Sequence, residues 1–456
     1  MTSTAAQQGG TLNFDPQALR EKYRLERDKR IRADGNDQYV EVTGDFSHYV
    51  DDPYITPGMT RDSVVRDVEV VIIGGGFGGM LAAARLRDAG ITDFMLIEKG
   101  GGFGGTWYWN RYPGASCDIE AYVYLPLLEE TGFVPRQKYT NAEETLEYCE
   151  VLAQRYRLHE HALLQTQVRQ VVWQESSRRW QVVTDRGDQL QARFVIHSNG
   201  PLNRPKLPAI KGIDQFKGHT FHTSRWDYAY TGGTTFGDLS KLADKRVAVI
   251  GTGATAVQCV PHLAASAKAL YVFQRTPSSI DVRDNQPTNP DWISKQTPGW
   301  QKRRQTNFES IMSGLPVKED LVGDGWTEAF RNLFGGLGDS MPSKARLALW
   351  AVQGVFSNKR RERGLKQYLM DRAIQYMGLT QKMEMADFEK MEKVRARADE
   401  VVLEKSTAES LKPYYRQFCK RPCFHDEYLQ SFNRDSVTLV DTCLLYTSDA
   451  ADDLLC

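Results

Sequence analysis

Two segments of this chain share one grammar, an apolar strand that runs into a glycine turn and then into an apolar helix, and no other feature constrains the fold as tightly. From Val68 the chain reads VEVVIIGGGFGGMLAAARLRDAG, and from Arg246 it reads RVAVIGTGATAVQCVPHLA. A strand apolar on both faces belongs in a parallel sheet covered by helices. The repeat therefore predicts an α/β fold with two Rossmann-like, doubly wound nucleotide-binding domains. A length of 456 residues suits two or three domains.

The turns differ in a way that matters chemically. Gly74, Gly76 and Gly79 supply GxGxxG between strand and helix, where backbone N–H groups and the helix dipole favour a pyrophosphate. The next strand, DFMLIEKG, ends in Glu98, a carboxylate placed to accept from an adenosine ribose and to repel a 2′-phosphate. That pattern fits FAD or NAD. The second turn carries Gly251, Gly253 and Ala256, but its following strand, ALYVFQRT, ends in Arg275 and Thr276. A guanidinium there can pair a 2′-phosphate, so this site should prefer NADPH; an arginine that merely caps the strand is the alternative. One FAD-type and one NADPH-type site suggest hydride transfer from nicotinamide to flavin. No cysteine pair follows Glu98 to take the electrons onward, which leaves oxygen as the common acceptor.

Lysine plus arginine balance aspartate plus glutamate at 58 each, so nothing in the net charge points to nucleic acid or an anionic membrane surface. The seven cysteines, an odd number without a CxxC pair, fit a reducing compartment. With no signal-peptide pattern and no apolar run of membrane-spanning length, a cytoplasmic protein is the expectation; a monomer is expected as well. Residues 1–67 read as an N-terminal extension with a surface helix opened by Asp15 and Pro16 and without a catalytic role. Residues 68–200 read as the FAD-binding domain and 201–243 as a linker. Residues 244–442 read as the NADPH-binding domain, carrying a helical insertion at about 285–407. There SKARLALWAVQGVF and DFEKMEKVRARADEVV are helical in pattern, and NKRRERGLK reads as a solvated helix face. His159 and His161 read as solvated helix residues. Residues 443–456, CLLYTSDAADDLLC, resemble translated sequencing-adapter read-through, with a genuine tail as the alternative.

After Glu98 runs GGFGGTWYWNRYPGASCD, and Phe216 to Asp227 reads FKGHTFHTSRWD. These segments match GxWxxxxYPGxxxD and FxGxxxHxxxWD at every fixed position, and in this the chain resembles the type I Baeyer-Villiger monooxygenases. CKRPCFHDEYLQSFNRDSVTLVD resembles members with an N-terminal extension that act on bulky or polycyclic ketones. The resemblance runs from about Leu12 to Asp441. It implies FAD contacts at Gly74, Gly76, Gly79, Glu98, Gly105, Thr106, Trp107, Asp118, Tyr124 and Val168. It implies NADPH contacts at Gly251, Thr252, Gly253, Ala254, Thr255, Ala256, Val257, Arg275, Thr276 and Lys420. Ser116 stands where many members have an arginine. No metal is implied.

The implied chemistry is that NADPH reduces FAD, and that a C4a-peroxyflavin formed with O2 attacks a ketone carbonyl and inserts one oxygen atom to give an ester or lactone. Arg421 matches the catalytic arginine, a fixed cation for the peroxide anion and the oxyanion that follows, and Asp118 is its orienting partner. A purely structural ion pair is the alternative for these two. Phe216, Gly218, His222, Trp226 and Asp227 form a motif in which His222 reads as a hinge latch between the nucleotide domains, or else as part of a packed aromatic corner. Two other functions stay open: an N- or S-oxygenating flavin monooxygenase, and a nucleotide-binding fragment without turnover, because family members continue past this chain's end to complete the flavin domain.

Overall fold

The computed structural model describes residues 13–55, 57–340 and 379–443. The segments SKARLALWAVQGVF and NKRRERGLK, and all of the tail after Cys443, lie outside the described residues.

The first unit is a six-stranded sheet. Its strands are β2 (Val65–Ile73), β3 (Phe94–Ile97), β4 (Ala162–Leu163), β5 (Val168–Gln174), β6 (Arg179–Thr184) and β7 (Gln189–His197), and β1 (Tyr39–Glu41) precedes them in the extension. The spatial order is β4-β3-β2-β7-β6-β5. β2 runs parallel to both β3 and β7, with Val70 facing Phe94 on one side and Phe194 on the other. β5 and β6 add an antiparallel hairpin at the β7 edge. The chain leaves β2 toward β3 and returns later as β7 on the opposite side, which opens a crevice at the carboxyl end of β2, where the first glycine turn lies.

β8 (Lys206–Pro208) pairs antiparallel with β1 and ties the extension to the linker. The second unit is a parallel sheet in the order β13-β10-β9, from β9 (Arg246–Ile250), β10 (Ala269–Gln274) and β13 (Val437–Asp441). Two short strands, β11 (Ile280–Asp281) and β12 (Cys423–Phe424), pair in parallel. The chain therefore departs at β11, passes through a helical region and returns at β12 beside its point of departure.

The helices used below are α1 (Pro16–Asp28), α2 (Phe77–Asp88), α3 (Ala142–Arg155), α4 (Ala254–Ser266), α5 (Trp300–Met312), α6 (Gly325–Ser340) and α7 (Leu379–Val401). In α1, Asp15 accepts from Gln17 N at 2.8 Å and Pro16 occupies the first turn, where its missing N–H costs nothing. The helix stops at Asp28, short of the Arg32 to which good helix formers continue, and buries only Leu19.

Apolar residues of β2 and β3 pack against α2 and α3. Ile72, Leu96, Tyr148 and Leu152 are buried, and each of the aliphatic side chains contributes about 1.5–3 kcal/mol. A second cluster joins Trp107, Tyr112 and Cys117 of the first unit to Val257, Cys259, Val260 and Val272 of the second. The two units thus share this second cluster. The histidines of LHEH divide. His159 is solvent-facing and pairs with Glu150 at 2.9 Å. His161, expected as solvated, stacks on the Phe94 ring at 4.7 Å and lies 3.2 Å from the Phe94 carbonyl, because the short 3₁₀ turn at Leu158–His161 folds back onto β3.

Candidate active site

In the first turn Gly74 adopts φ +111°, which an L side chain resists, and a Cβ there would strike the Ser198 carbonyl. A Cβ on Gly79 would occupy the Gly74 carbonyl oxygen, and one on Gly105 would lie 2.7 Å from Gly76 Cα. These glycines let three backbone segments converge at the N-terminus of α2, which no side chain caps. Glu98, just past β3, is buried. Its Oε2 accepts from Gly75 N at 2.5 Å and its Oε1 from Gly100 N at 2.6 Å. Burial raises its pKa while these two bonds oppose the rise. Each oxygen keeps a further lone pair for a ribose hydroxyl, so turn and carboxylate together fit an adenosine pyrophosphate. Thr106 opens the short helix Thr106–Trp109, and Trp107 donates from Nε1 to the Tyr124 hydroxyl at 2.9 Å. Val168 begins β5 and packs on the cluster that contains Val71 and Met95.

The second turn is more open. Gly251 has φ +104°, and a Cβ on Gly251 or Gly253 would meet nothing within 4 Å. The N-terminus of α4, with Ala254, Thr255, Ala256 and Val257 in its first turn, has no side-chain cap. Thr252 fixes the turn to the end of β10 by donating to Thr276 O at 2.8 Å. Lys420 Nζ donates to Thr276 O at 2.9 Å and to Pro277 O at 3.4 Å. Burial, with the nearby Arg275 and Arg30 cations, brings its pKa down to about 8. Among the described residues no carboxylate lies within ion-pair distance of Arg275 or Lys420. An uncapped helix start beside two cations without carboxylate partners fits a nucleotide carrying a 2′-phosphate.

The loop from Gly105 to Asp118 is fastened to α4. Tyr112 donates to Gln258 Oε1 at 2.8 Å, and Gln258 Nε2 donates to Ser116 O at 2.9 Å. Gly114, at φ +78°, sits directly on α4, where a Cβ would overlap the Gln258 backbone carbonyl and lie 2.7 Å from His262 Nε2. Asp118, at the loop's end, accepts from Arg421 Nη2 at 2.6 Å across 303 residues of sequence. The Asp118 side chain is 12% exposed and that of Arg421 54%, so the guanidinium has an open side, and it lies 5.3 Å from the centre of the Trp326 ring. Arg283, buried, donates to Cys117 O at 2.5 Å and steadies the same loop.

In FKGHTFHTSRWD, Trp226 is buried, donates to Thr231 Oγ1 at 3.1 Å and packs edge-on against Phe221. His222 Nδ1 accepts from Ser224 N at 3.2 Å and lies 2.8 Å from Ser224 Oγ. Burial, and then the neighbouring Arg225, depress its pKa to about 4, so its ring is neutral near pH 7. Asp227 accepts from Tyr230 N at 3.0 Å and lies 2.8 Å from His219 Nε2, whose ring stacks on Tyr230. Phe216 is exposed, and its ring covers Gly218, where a Cβ would collide with it.

The pattern of motifs did not identify Gln258, Arg283, His219 or Arg225. Arg225 is buried with its guanidinium 3.8 Å from the centre of the Trp109 ring. A cation inside an aromatic motif was the available signal for Arg225, whereas nothing in the sequence distinguishes Gln258 from any other helix residue.

A family model described as pyridine nucleotide-disulphide oxidoreductase matches residues 71–298. The six described cysteines are all free. The chain is 51% identical over 429 residues to neopentalenolactone D synthase of Streptomyces avermitilis, an alignment covering 94% of this chain and 67% of that protein. It is 49% identical to Baeyer-Villiger monooxygenase ATR8 of Stachybotrys chlorohalonatus, covering 94% and 64%. The solved polycyclic ketone monooxygenase from the fungus Thermothelomyces thermophila superposes with a TM-score of 0.79 at 37% identity, covering 94% of this chain and 68% of that one. The chain belongs to the Baeyer-Villiger monooxygenase family. It spans about two thirds of the length of these relatives, between 64% and 68%. Membership agrees with both long motifs and with the two-domain α/β architecture. No described helix is long and apolar enough to cross a membrane.

Proposed function

We propose that this protein is an FAD- and NADPH-dependent Baeyer-Villiger monooxygenase acting on bulky cyclic ketones. The overall reaction consumes ketone, O2, NADPH and a proton, and yields an ester or lactone, water and NADP⁺. The observation that carries the reading is the Arg421–Asp118 pair, a fixed cation beside the loop that contains the flavin-type tryptophan Trp107. The similarity to a polycyclic ketone monooxygenase supports the ketone class.

When bound, reduced flavin supplies two electrons to O2 and so provides the nucleophilic oxygen. The chain's own residues do the rest. Gly74, Gly76 and Gly79 admit the pyrophosphate to the start of α2, and Glu98 holds the ribose. The second turn, with Arg275, Thr276 and Lys420, takes the 2′-phosphorylated nucleotide. The open side of the Arg421 guanidinium offers N–H donors to an oxyanion; losing one such donor typically costs about 3–4 kcal/mol in barrier. Asp118 is almost enclosed and holds the guanidinium from behind, so the remaining donors are presented in one orientation. The His222 ring caps a turn by accepting from Ser224 N, the local anchoring that a hinge latch needs. Asp227 and Trp226 anchor the two sides of that hinge.

The test is product analysis with a cyclic ketone and a sulfide in parallel. Ester or lactone from the ketone is expected. Oxidation of the sulfide alone would favour an N- or S-oxygenase, and nucleotide binding without either product would leave a binding function only. Arg421→Ala should still permit NADPH-dependent flavin reduction and abolish ester formation, and a normal ester yield from that variant would remove Arg421 from the mechanism.

A further inference from the structure

The N-terminal extension reaches the nicotinamide side of the molecule, where the sequence pattern assigns it no role. Gln38 accepts a hydrogen bond through Oε1 from Arg275 Nη1. Arg30, just beyond α1, donates from Nε to the Arg275 backbone carbonyl at 2.9 Å. It is itself held by the Glu26 carbonyl at 2.7 Å and the Glu26 carboxylate at 2.5 Å. The Gln38 backbone is bolted to the linker in turn, because Ala209 N donates to Gln38 O at 2.9 Å and β1 continues from it onto β8.

Arg275 therefore has its guanidinium in contact with a neutral amide and its backbone pinned by a second cation. Arg30 and Arg275 both lie close enough to Lys420 to disfavour its charge. Three cations gather beside an uncapped helix start and an open glycine turn; among the described residues only Arg30 has a carboxylate within ion-pair distance, and the Asp34 carboxylate, paired with Arg32, acts on Arg275 from farther off. A carboxylate at position 38 would orient Arg275 equally well but would neutralise it; the amide orients it and leaves its charge for a ligand.

We propose that the extension completes the 2′-phosphate subsite: Gln38 is a positioning residue for Arg275, and Arg30 fixes the Arg275 backbone while adding positive charge. The inference rests on the reading of the second turn as an NADPH site and adds to it the source of the cofactor preference.

The experiment is calorimetric titration of the whole chain with 2′,5′-ADP and with 5′-AMP, for the parent, Gln38→Ala and Gln38→Glu. The parent should bind 2′,5′-ADP more tightly than 5′-AMP. Gln38→Ala should weaken 2′,5′-ADP by about three- to tenfold, the scale of one hydrogen bond, with 5′-AMP unchanged. Gln38→Glu should weaken 2′,5′-ADP further, again sparing 5′-AMP, because a carboxylate competes with the phosphate for Arg275. If the parent prefers 2′,5′-ADP and neither variant changes the ratio, the role of Gln38 is refuted and the NADPH reading stands. If a variant loses both ligands together, Gln38 is a folding residue and the proposal fails. If the parent shows no preference, the NADPH reading fails and takes this inference with it.

Discussion

Gly114→Ala tests how the YPG motif works, because the structure assigns its glycine a contact rather than a turn alone. The substitution forces an L side chain to φ +78°, which costs about 1–2 kcal/mol. It also drives a methyl group into the Gln258 carbonyl on α4, with the His262 ring 2.7 Å away at Nε2. Backbone cannot swing aside as a side chain can, and such overpacking typically costs about 1–3 kcal/mol. The sum, about 3 kcal/mol, is a large part of an ordinary domain's stability. Gly132 provides the control. Its φ is +71°, yet a Cβ there meets nothing within 4 Å. Gly132→Ala should therefore show only the backbone component. By differential scanning fluorimetry Gly114→Ala should lower Tm by about 6–12 °C, and Gly132→Ala by about half of that or less. The ester-forming rate should fall only in Gly114→Ala, since displacing this loop moves Asp118 away from Arg421. Equal Tm shifts for the two variants would refute the contact argument.

Lys420 loses its charge as pH rises through about 8, so KM for NADPH should climb above that pH while KM for NADH stays flat, and Lys420→Arg should abolish the climb. The linkage runs the same way: between about 8 and the ordinary lysine value of 10.5 the unfolded chain binds more protons at this site, so its contribution to stability rises with pH, which chemical denaturation at pH 8 and pH 10 can measure. Arg304 pairs with Glu120, whose carboxylate is fully buried, and the pair joins α5 to the short helix that begins at Ala121. Arg304→Met alone should destabilise by about 3–5 kcal/mol in urea unfolding, and adding Glu120→Gln should recover part of the loss; no recovery would show that packing, not the stranded charge, dominates. Tyr112→Phe should cost about 0.5–1.5 kcal/mol, measured in the same way, because Gln258 Oε1 loses its shorter bond and keeps only the longer one from Ser116 N at 3.4 Å.

Much of the fold was legible because its determinants are local. An apolar strand, a glycine turn and an apolar helix occur consecutively at Val68 and again at Arg246, so hydrophobic pattern and turn chemistry agree without help from distant residues. Asp15 and Pro16 announced a helix for the same reason. Asp118 and Arg421, paired by the motifs, do meet. The surroundings of His161 were misread because they are settled by a contact with the Phe94 ring.

Type and approximate place of the nucleotide turns, the carboxylate after one and the arginine after the other, follow from the sequence by itself. Only the tertiary structure decided what surrounds them: that Gly114 exists to touch α4, that Gln258 links two units with no motif to mark it, and that an extension expected to lie idle on the surface reaches Arg275. Local propensity acts over a few residues, whereas these contacts join positions 142 to 303 residues apart, and their partners are chosen by packing in space.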